Sequence, residues 1–369
     1  MGSIGPILLS HRANWFPQAM SLLAFKPKKI LIRSTNWIGD AIMTTPAVRT
    51  IRANFPEARI AILAYPWVAD VFAASPHVDE VIIFDRDGEH RGLKGLWRLS
   101  RQLAARNFDL AILLQNAFKA ALIVKLAGIP LRAGYSRDGR RLLLTHPVTI
   151  RPEVRRLHQV HYYQGLCRDL GLQLGPDELF LQLAPLAEAW ASDFVATSAG
   201  RPIIGLNPGA AYGPAKCWPV ERYGALAARL AEELNAVIPV FGTGADTQTA
   251  AAIKACAPAQ VIDLAGATTL AQAMALIGRC DAFVTNDSGL MHVAAAQQTP
   301  LVAIFGSTDP VATGPFSERA LVLRKELDGQ PCFRTHCRAD FRCMTEIGVE
   351  EVLTAVRELL RRSAEPQNT

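Results

Sequence analysis

Hydrophobic positions along this chain fall into short unbroken runs rather than alternating ones. KILIR (29–33), ARIAILAY (58–65), VDEVIIF (78–84) and FDLAILLQ (108–115) are such runs. Dense Val, Ile and Leu over so short a length predicts strands buried on both faces, as in a parallel sheet covered by helices. Between the runs the apolar spacing changes to that of a helix. AIMTTPAVRTIRANF follows the first strand, with Ile42, Val48 and Ile51 on its buried side, and a basic helix is predicted around residues 91–106. The alternation pauses over 181–198, where Pro185 and a polar helix read as a connector. It resumes at RPIIGLNPGAAYGPAKCWP (201–219), followed by the helix VERYGALAARLAEEL and a strand in AVIPVFGT (236–243). A helix over 246–256, VIDLAG (261–266), a helix over 268–278, AFVTND (282–287), another helix and PLVAIFG (300–306) complete the pattern. A last helix is predicted over 349–362.

The fold class is therefore α/β, with two doubly wound domains in tandem. Residues 28–180 form the first, 181–198 a linker, and 199–345 the second. Residues 346–369 carry the final helix, which is expected to pack back on the first domain. Residues 1–27 have no charged start and no cleavage site, and are expected to be an extension outside the fold, with Met20 an alternative initiator. Ligands of such domains sit at the carboxyl ends of the strands, hence in the cleft between the two.

A length of 369 residues, 50% of them hydrophobic, is enough for two cores. No apolar run reaches the roughly 18 residues of a membrane span, and the chain is expected to be cytoplasmic. Charge changes the picture more. Residues 1–180 carry 24 Lys and Arg against 14 Asp and Glu, and the remainder carries 15 against 19. A basic first half meets nucleic acid, anionic lipid or a phosphorylated glycan, or is simply a solvated surface. Aromatics for base stacking are sparse in its basic stretches, which argues against nucleic acid. Arg137, Arg140, Arg141, Arg155 and Arg156 are expected among the cations that face an anionic membrane surface. The seven cysteines are an odd count with no secretion signal, so no disulfide framework is expected. Cys332, Cys337 and Cys343 cluster beside His336, but neighbours such as His336 and Cys337 make poor co-ligands, and a plain loop is expected there.

Candidate chemistry concentrates at strand ends. In DAFVTNDSGLMHVAAA (281–296) a buried run stops on Thr285-Asn286-Asp287-Ser288-Gly289 and a helix begins at once. Two readings are open: a helix N-terminus whose N–H groups hold an anion, or a plain N-cap. A second turn, NPGAAYGPAKCWP, also follows a strand. Its Lys216 lies seven residues after Gly209, which is not the P-loop spacing, yet a lysine on a glycine turn can neutralise a diphosphate. FGTGAD (241–246) and DLAGATT (263–269) are further loops on the same face, suited to ribose and base. Asp40 ends the first strand-loop, STNWIGD, as either a catalytic carboxylate or the cap of a helix over 41–53. Asp85-Arg86-Asp87 has the form of a metal-binding carboxylate pair, but lies away from the nucleotide loops.

Taken together, STNWIGDAIMTTPAVR, NPGAAYGPAKCWP, FGTGAD, DLAGATTLAQAMALI and VTNDSGLMHVAAAQQTPLVAIFGSTDP resemble the motifs of the ADP-heptose:lipopolysaccharide heptosyltransferases, most nearly the type that adds the second heptose of the inner core. The resemblance runs in order from about residue 29 to the end. It implies the GT-B arrangement of two Rossmann-like domains facing across a cleft. It also implies inverting transfer from ADP-L-glycero-β-D-manno-heptose with no metal and no cofactor. The implied acceptor is heptosyl-Kdo2-lipid A at the inner face of the inner membrane. By the same resemblance Asp40 is the catalytic base and Lys216 binds phosphate. Asp287, Ser288, Gly289, Leu290 and His292 hold the diphosphate-sugar, and Asp246 and Thr268 lie near ribose and adenine. Gly209, Ala211 and Tyr212 belong to the donor turn, the last two differing in type from a related enzyme's phosphate contacts. Addition of the first or third heptose, a nucleotide-sugar epimerase, and a sugar-nucleotide binding module with a dispensable Asp40 are the alternatives.

Overall fold

A computed structural model of the chain describes residues 22–338 and 340–365. The first half builds a six-stranded sheet from β1 (Lys29–Arg33), β2 (Arg59–Ala64), β3 (Glu80–Ile83), β4 (Leu110–Leu113), β5 (Leu131–Tyr135) and β6 (His146–Val148), in the order β3-β2-β1-β4-β5-β6. The second half repeats it with β7 (Ile204–Asn207), β8 (Ile238–Val240), β9 (Val261–Asp263), β10 (Ala282–Asn286), β11 (Leu301–Phe305) and β12 (Ala320–Arg324), in the order β12-β11-β10-β7-β8-β9. Every pairing is parallel. Strand order reverses between β1 and β4 and again between β7 and β10. Loops diverge at such switch points and leave room for ligands.

Side-chain alternation gives each sheet two covered faces. On β1, Ile30 and Ile32 join one core while Leu31 joins another on the opposite face. Three strands have no counterpart in the hydrophobic pattern. β5 (LRAGY) breaks its run with Arg132 and Gly134. β6 has three residues, one of them Pro147, which an edge strand tolerates because it need not donate on both sides. β12 is the other kind of edge, only half-buried along its length.

The two halves meet through apolar packing. One buried cluster runs from the inner face of the first sheet through helices Ile38–Met43, Thr45–Asn54 and Gln159–Asp169. It continues into helices Leu270–Ile277 and Gly289–Ala296 of the second half. At its centre, helix Ile38–Met43 lies on helix Gly289–Ala296. A Cβ on Gly39 would stand 2.5 Å from His292 Cδ2, and one on Gly289 would stand 3.0 Å from Ile38 Cβ. These two glycines let the backbones approach, and the contact forms the floor between the facing sheets.

Several expectations need correction. The final helix, Val349–Ala364, does not cross to the first half. Val352, Leu353, Val356 and Leu359 are buried in the core of the second sheet, against helix Val220–Leu234 and strands β10 and β11. The connector helix, Pro185–Thr197, packs on helix Leu270–Ile277 of the second half. Within the expected extension, Leu22 is fully buried in the first core and its N–H donates to Leu170 O at 3.0 Å. The rest of that expectation, residues 1–21 with Met20, lies outside the described residues. Arg140, read as a membrane-facing cation, is buried: it donates to Gln115 O, to Tyr135 O at 2.7 Å and to Asn116 Oδ1 at 2.9 Å, tying β5 to the loop after β4.

The junction gives the first prediction. Gly39→Ala forces a methyl group into the His292 ring, and overpacking of this kind costs about 1–3 kcal/mol. Urea denaturation should show that loss; stability equal to the parent protein's would mean that the helices are not in close contact.

Candidate active site

The turn after β10 is built by hydrogen bonds between strand ends. Asn207, last in β7, donates from its amide to Thr285 Oγ1 at 2.9 Å and to Ser288 Oγ at 2.7 Å. Asn286 donates to Pro208 O at 2.6 Å and accepts from Trp218 N at 3.0 Å and from the Tyr223 hydroxyl at 3.1 Å. Ser288 occupies the N-cap position of helix Gly289–Ala296, yet its hydroxyl makes no capping bond. Among the described residues no side chain accepts from the first-turn N–H groups, as an anion site requires. Gly289 and Leu290 open this helix, both half-buried.

Asp287 is buried and accepts two hydrogen bonds at 2.5 Å, from Lys216 Nζ and from the Thr308 hydroxyl. Lys216 reaches it from the short helical turn Pro214–Lys216, and its ammonium also lies 4.7 Å from the centre of the Tyr212 ring. The Tyr212 hydroxyl donates to Phe333 O at 2.7 Å, so the exposed residues Ala211 and Tyr212 sit beneath the cysteine-containing loop. That loop is fastened on both sides, through Ala215 N to Thr335 O at 3.0 Å and Phe333 N to Ser307 O at 2.7 Å. Among the described residues, no group of three or more His, Cys, Asp or Glu is arranged to hold a metal ion.

Asp40 lies in the first turn of helix Ile38–Met43, whose N-cap is Trp37, so it is not the cap of a helix over 41–53. Among the described residues none donates a hydrogen bond to its carboxylate. Burial raises its pKa from 3.8 to about 6; the Lys216 charge opposes the rise and Asp287 adds to it. Asp40 and the Lys216–Asp287 pair, on different halves, are therefore close enough to interact. Tyr163, from helix Gln159–Asp169, is also buried here, its phenol held neutral chiefly by burial and secondarily by the Asp40 charge. The loop before Asp40 is fixed by Arg33, which donates to Ser34 O at 2.7 Å, Leu63 O at 2.9 Å and Asn36 Oδ1 at 3.3 Å. Burial lowers the Arg33 pKa to about 10, and the Tyr65 ring 4.7 Å away shares in its stabilisation.

His292 stands at the junction. Burial lowers its pKa to about 4, so the imidazole is neutral, and Nδ1 has no hydrogen-bond partner among the described residues. Asp246 closes a capping box on Thr243, accepting from Thr243 N at 2.7 Å and Oγ1 at 2.8 Å. A Cβ on Gly209 would stand 2.8 Å from Asp246 Oδ1, so the glycine lets the two loops touch. Between them opens a cavity of about 620 Å³, lined by Gly209, Pro214, Asp246, Thr249 and Cys337 among others. Thr268 lies just before helix Leu270–Ile277, whose cap is Thr269. Asp85 accepts from Gly88 N and Glu89 N, and Asp87 pairs with Arg86, so both are engaged in their own turn.

Glycosyltransferase family 9 (heptosyltransferase) matches residues 96–341. The chain belongs to this family. It is 36% identical over 307 residues to lipopolysaccharide heptosyltransferase 2 of Escherichia coli (strain K12), covering 80% of this chain and 88% of that protein. The Salmonella typhimurium LT2 protein of the same name is 37% identical over 308 residues, with the same coverage. The solved structure of E. coli ADP-heptose LPS heptosyltransferase II superposes with a TM-score of 0.78 at 32% identity, covering 91% of this chain and all of that one. The chain is thus a glycosyltransferase with the GT-B arrangement. Within this frame the residues that the motifs did not single out are Asn207, Thr308, Arg33 and Tyr163. Asn207 and Thr308 had a signal, since both stand inside the quoted motif strings, Asn207 ending a buried strand directly opposite TND; Tyr163 is brought in only by folding.

A buried ion pair loses most when one member is removed, because the other charge is stranded. Lys216→Met should cost about 3–5 kcal/mol in urea denaturation, and adding Asp287→Asn should restore most of it. A double variant no more stable than the single one would mean that the two do not form one pair.

Proposed function

We propose that this chain transfers L-glycero-D-manno-heptose from ADP-L-glycero-β-D-manno-heptose to the heptose of heptosyl-Kdo2-lipid A, with inversion and without a metal. The first half receives the acceptor and the second holds the donor. The observation that carries the reading is the placement of Asp40 on one half, with its pKa raised to about 6, beside Lys216 on the other. Family membership and the names of the related proteins support heptose as the sugar and lipopolysaccharide as the acceptor class, and the motif resemblance supports the particular acceptor.

In this reading an acceptor hydroxyl gives its proton to the Asp40 carboxylate as its oxygen attacks the anomeric carbon. The attack comes from the face opposite the diphosphate. The bond from that carbon to the phosphate oxygen breaks, and ADP departs carrying the electron pair. A base with a pKa near 6 is ionised at neutral pH and still strong enough to take the proton. Charge on the leaving diphosphate is met by Lys216 and by the N–H groups of helix Gly289–Ala296, preorganised before the reaction begins. Ribose and adenine lie toward Gly209, Asp246 and Thr268. Because the acceptor is lipid-linked, the enzyme works at the cytoplasmic face of the inner membrane; no helix of the described residues is long and apolar enough to cross it.

Asp40→Asn keeps the size of the side chain but cannot accept a proton. It should bind ADP within a few-fold of the parent protein by calorimetry and lose transfer by about 10²–10⁴-fold, in buffer containing a chelator. Transfer at the parental rate would place the base elsewhere. Defined acceptors carrying no, one or two heptoses identify which addition is made; turnover of ADP-heptose with none of them would favour the epimerase.

A further inference from the structure

The outer face of the first sheet, opposite the junction, is covered by helices Gly92–Ala104 and Phe118–Leu126, which pack side by side, with the turn Arg140–Leu143 next to the second of them. Their inward residues, such as Leu96, Leu99, Leu103 and Val124, fill the core. Their outward residues are not those of an ordinary solvated surface. Leu93 is 87% exposed, Trp97 63% and Leu142 89%, and Phe118 and Leu126 are about half exposed. Leu93 and Trp97 are one helical turn apart and form a ridge. The three elements carry Lys94, Arg98, Arg101, Lys119, Lys125 and Arg141 and no acidic side chain, with acids only flanking them at Glu89, which accepts from Gln102, and at Asp138.

We propose that this face rests on an anionic lipid bilayer, with the Leu93–Trp97 ridge inserted at the headgroup boundary and the basic ring on the lipid phosphates. Contiguous exposed apolar surface rimmed by charge marks an interaction site. Among occupants, a bilayer fits best because the apolar residues form a ridge rather than a groove. Tryptophan favours the membrane interface, and the excess of basic over acidic side chains on these elements suits an extended negative surface. The placement agrees with the chemistry. Both helices and the turn follow the carboxyl ends of β3, β4 and β5, the sheet edge that also carries Asp40, so a bilayer there borders the acceptor side of the site. The proposal rests on the lipid-linked acceptor of the preceding section for its purpose, and on these residues for its evidence.

The experiment is cosedimentation of the full chain with phosphatidylcholine vesicles, with and without phosphatidylglycerol, in the absence of any substrate. The parent protein should bind the anionic vesicles at least tenfold more tightly than the neutral ones, and less tightly as salt screens the basic ring. Leu93→Ser with Trp97→Ser, both at exposed positions, should lose at least tenfold of that binding while the melting temperature and ADP binding stay unchanged. Lys94→Glu with Arg98→Glu should lose it as well. Binding retained in both pairs, no vesicle binding by the parent, or loss of a dimer in place of loss of vesicle binding would each overturn the proposal. Failure to transfer heptose, with vesicle binding as described, would overturn the proposed function and leave this face assigned.

Discussion

Much of the site follows from one close contact, the approach of helix Ile38–Met43 to helix Gly289–Ala296 through Gly39 and Gly289. The contact joins two sheets that each have their own switch point, and it brings the loop after β1 against the loop after β10. Apolar packing on either side continues it into a core shared by both halves. A shared apolar core restricts domain motion, and this packing holds Asp40 beside the Lys216–Asp287 pair in the structure.

Electrostatics follows from the same geometry. Burying a carboxylate favours its neutral form, and Asp40 is driven upward for that reason before any neighbour acts. Asp287 is buried too, but Lys216 and Thr308 compensate it. Two carboxylates at one junction thus have separate roles: Asp287 fixes a cation in place, and Asp40 is left without a hydrogen-bond donor among the described residues. The lysine serves both, holding the turn together through Asp287 and lowering the Asp40 pKa by its charge. His292, neutral and enclosed, contributes shape at the floor of the site without adding a charge.

The sequence disclosed the repeated strand–helix pattern because buried parallel strands leave short unbroken apolar runs, as in KILIR and AFVTN. It disclosed the glycine turns and the TNDSG turn because backbone exposure at a helix start demands small and polar residues. Two of the four edge strands, β6 and β12, were hidden, the first being three residues long with a proline and the second only half-buried. Arg140 reads as surface charge in a stretch of arginines, and only the path of β5 shows that it is enclosed by backbone carbonyls. The final helix is amphipathic, which says that it packs but not on which half. Likewise the letters identify Asp40, Lys216 and Asp287 as polar residues at strand ends, whereas their interaction depends on how two separately wound sheets meet.

The central claim is that Asp40 acts as the base with a pKa set by this junction. The dependence of kcat/KM for the donor on pH tests it most directly, because that ratio reports ionisations of the free enzyme. A base must be deprotonated, so the rate should fall about tenfold per unit as pH drops below about 6 and stay level above it. In Asp287→Asn, loss of the neighbouring negative charge should move this limb to lower pH, whereas an ionisation of the substrate would not move. A profile that is flat between pH 5 and 8, or a limb at the same pH in both proteins, would contradict the account.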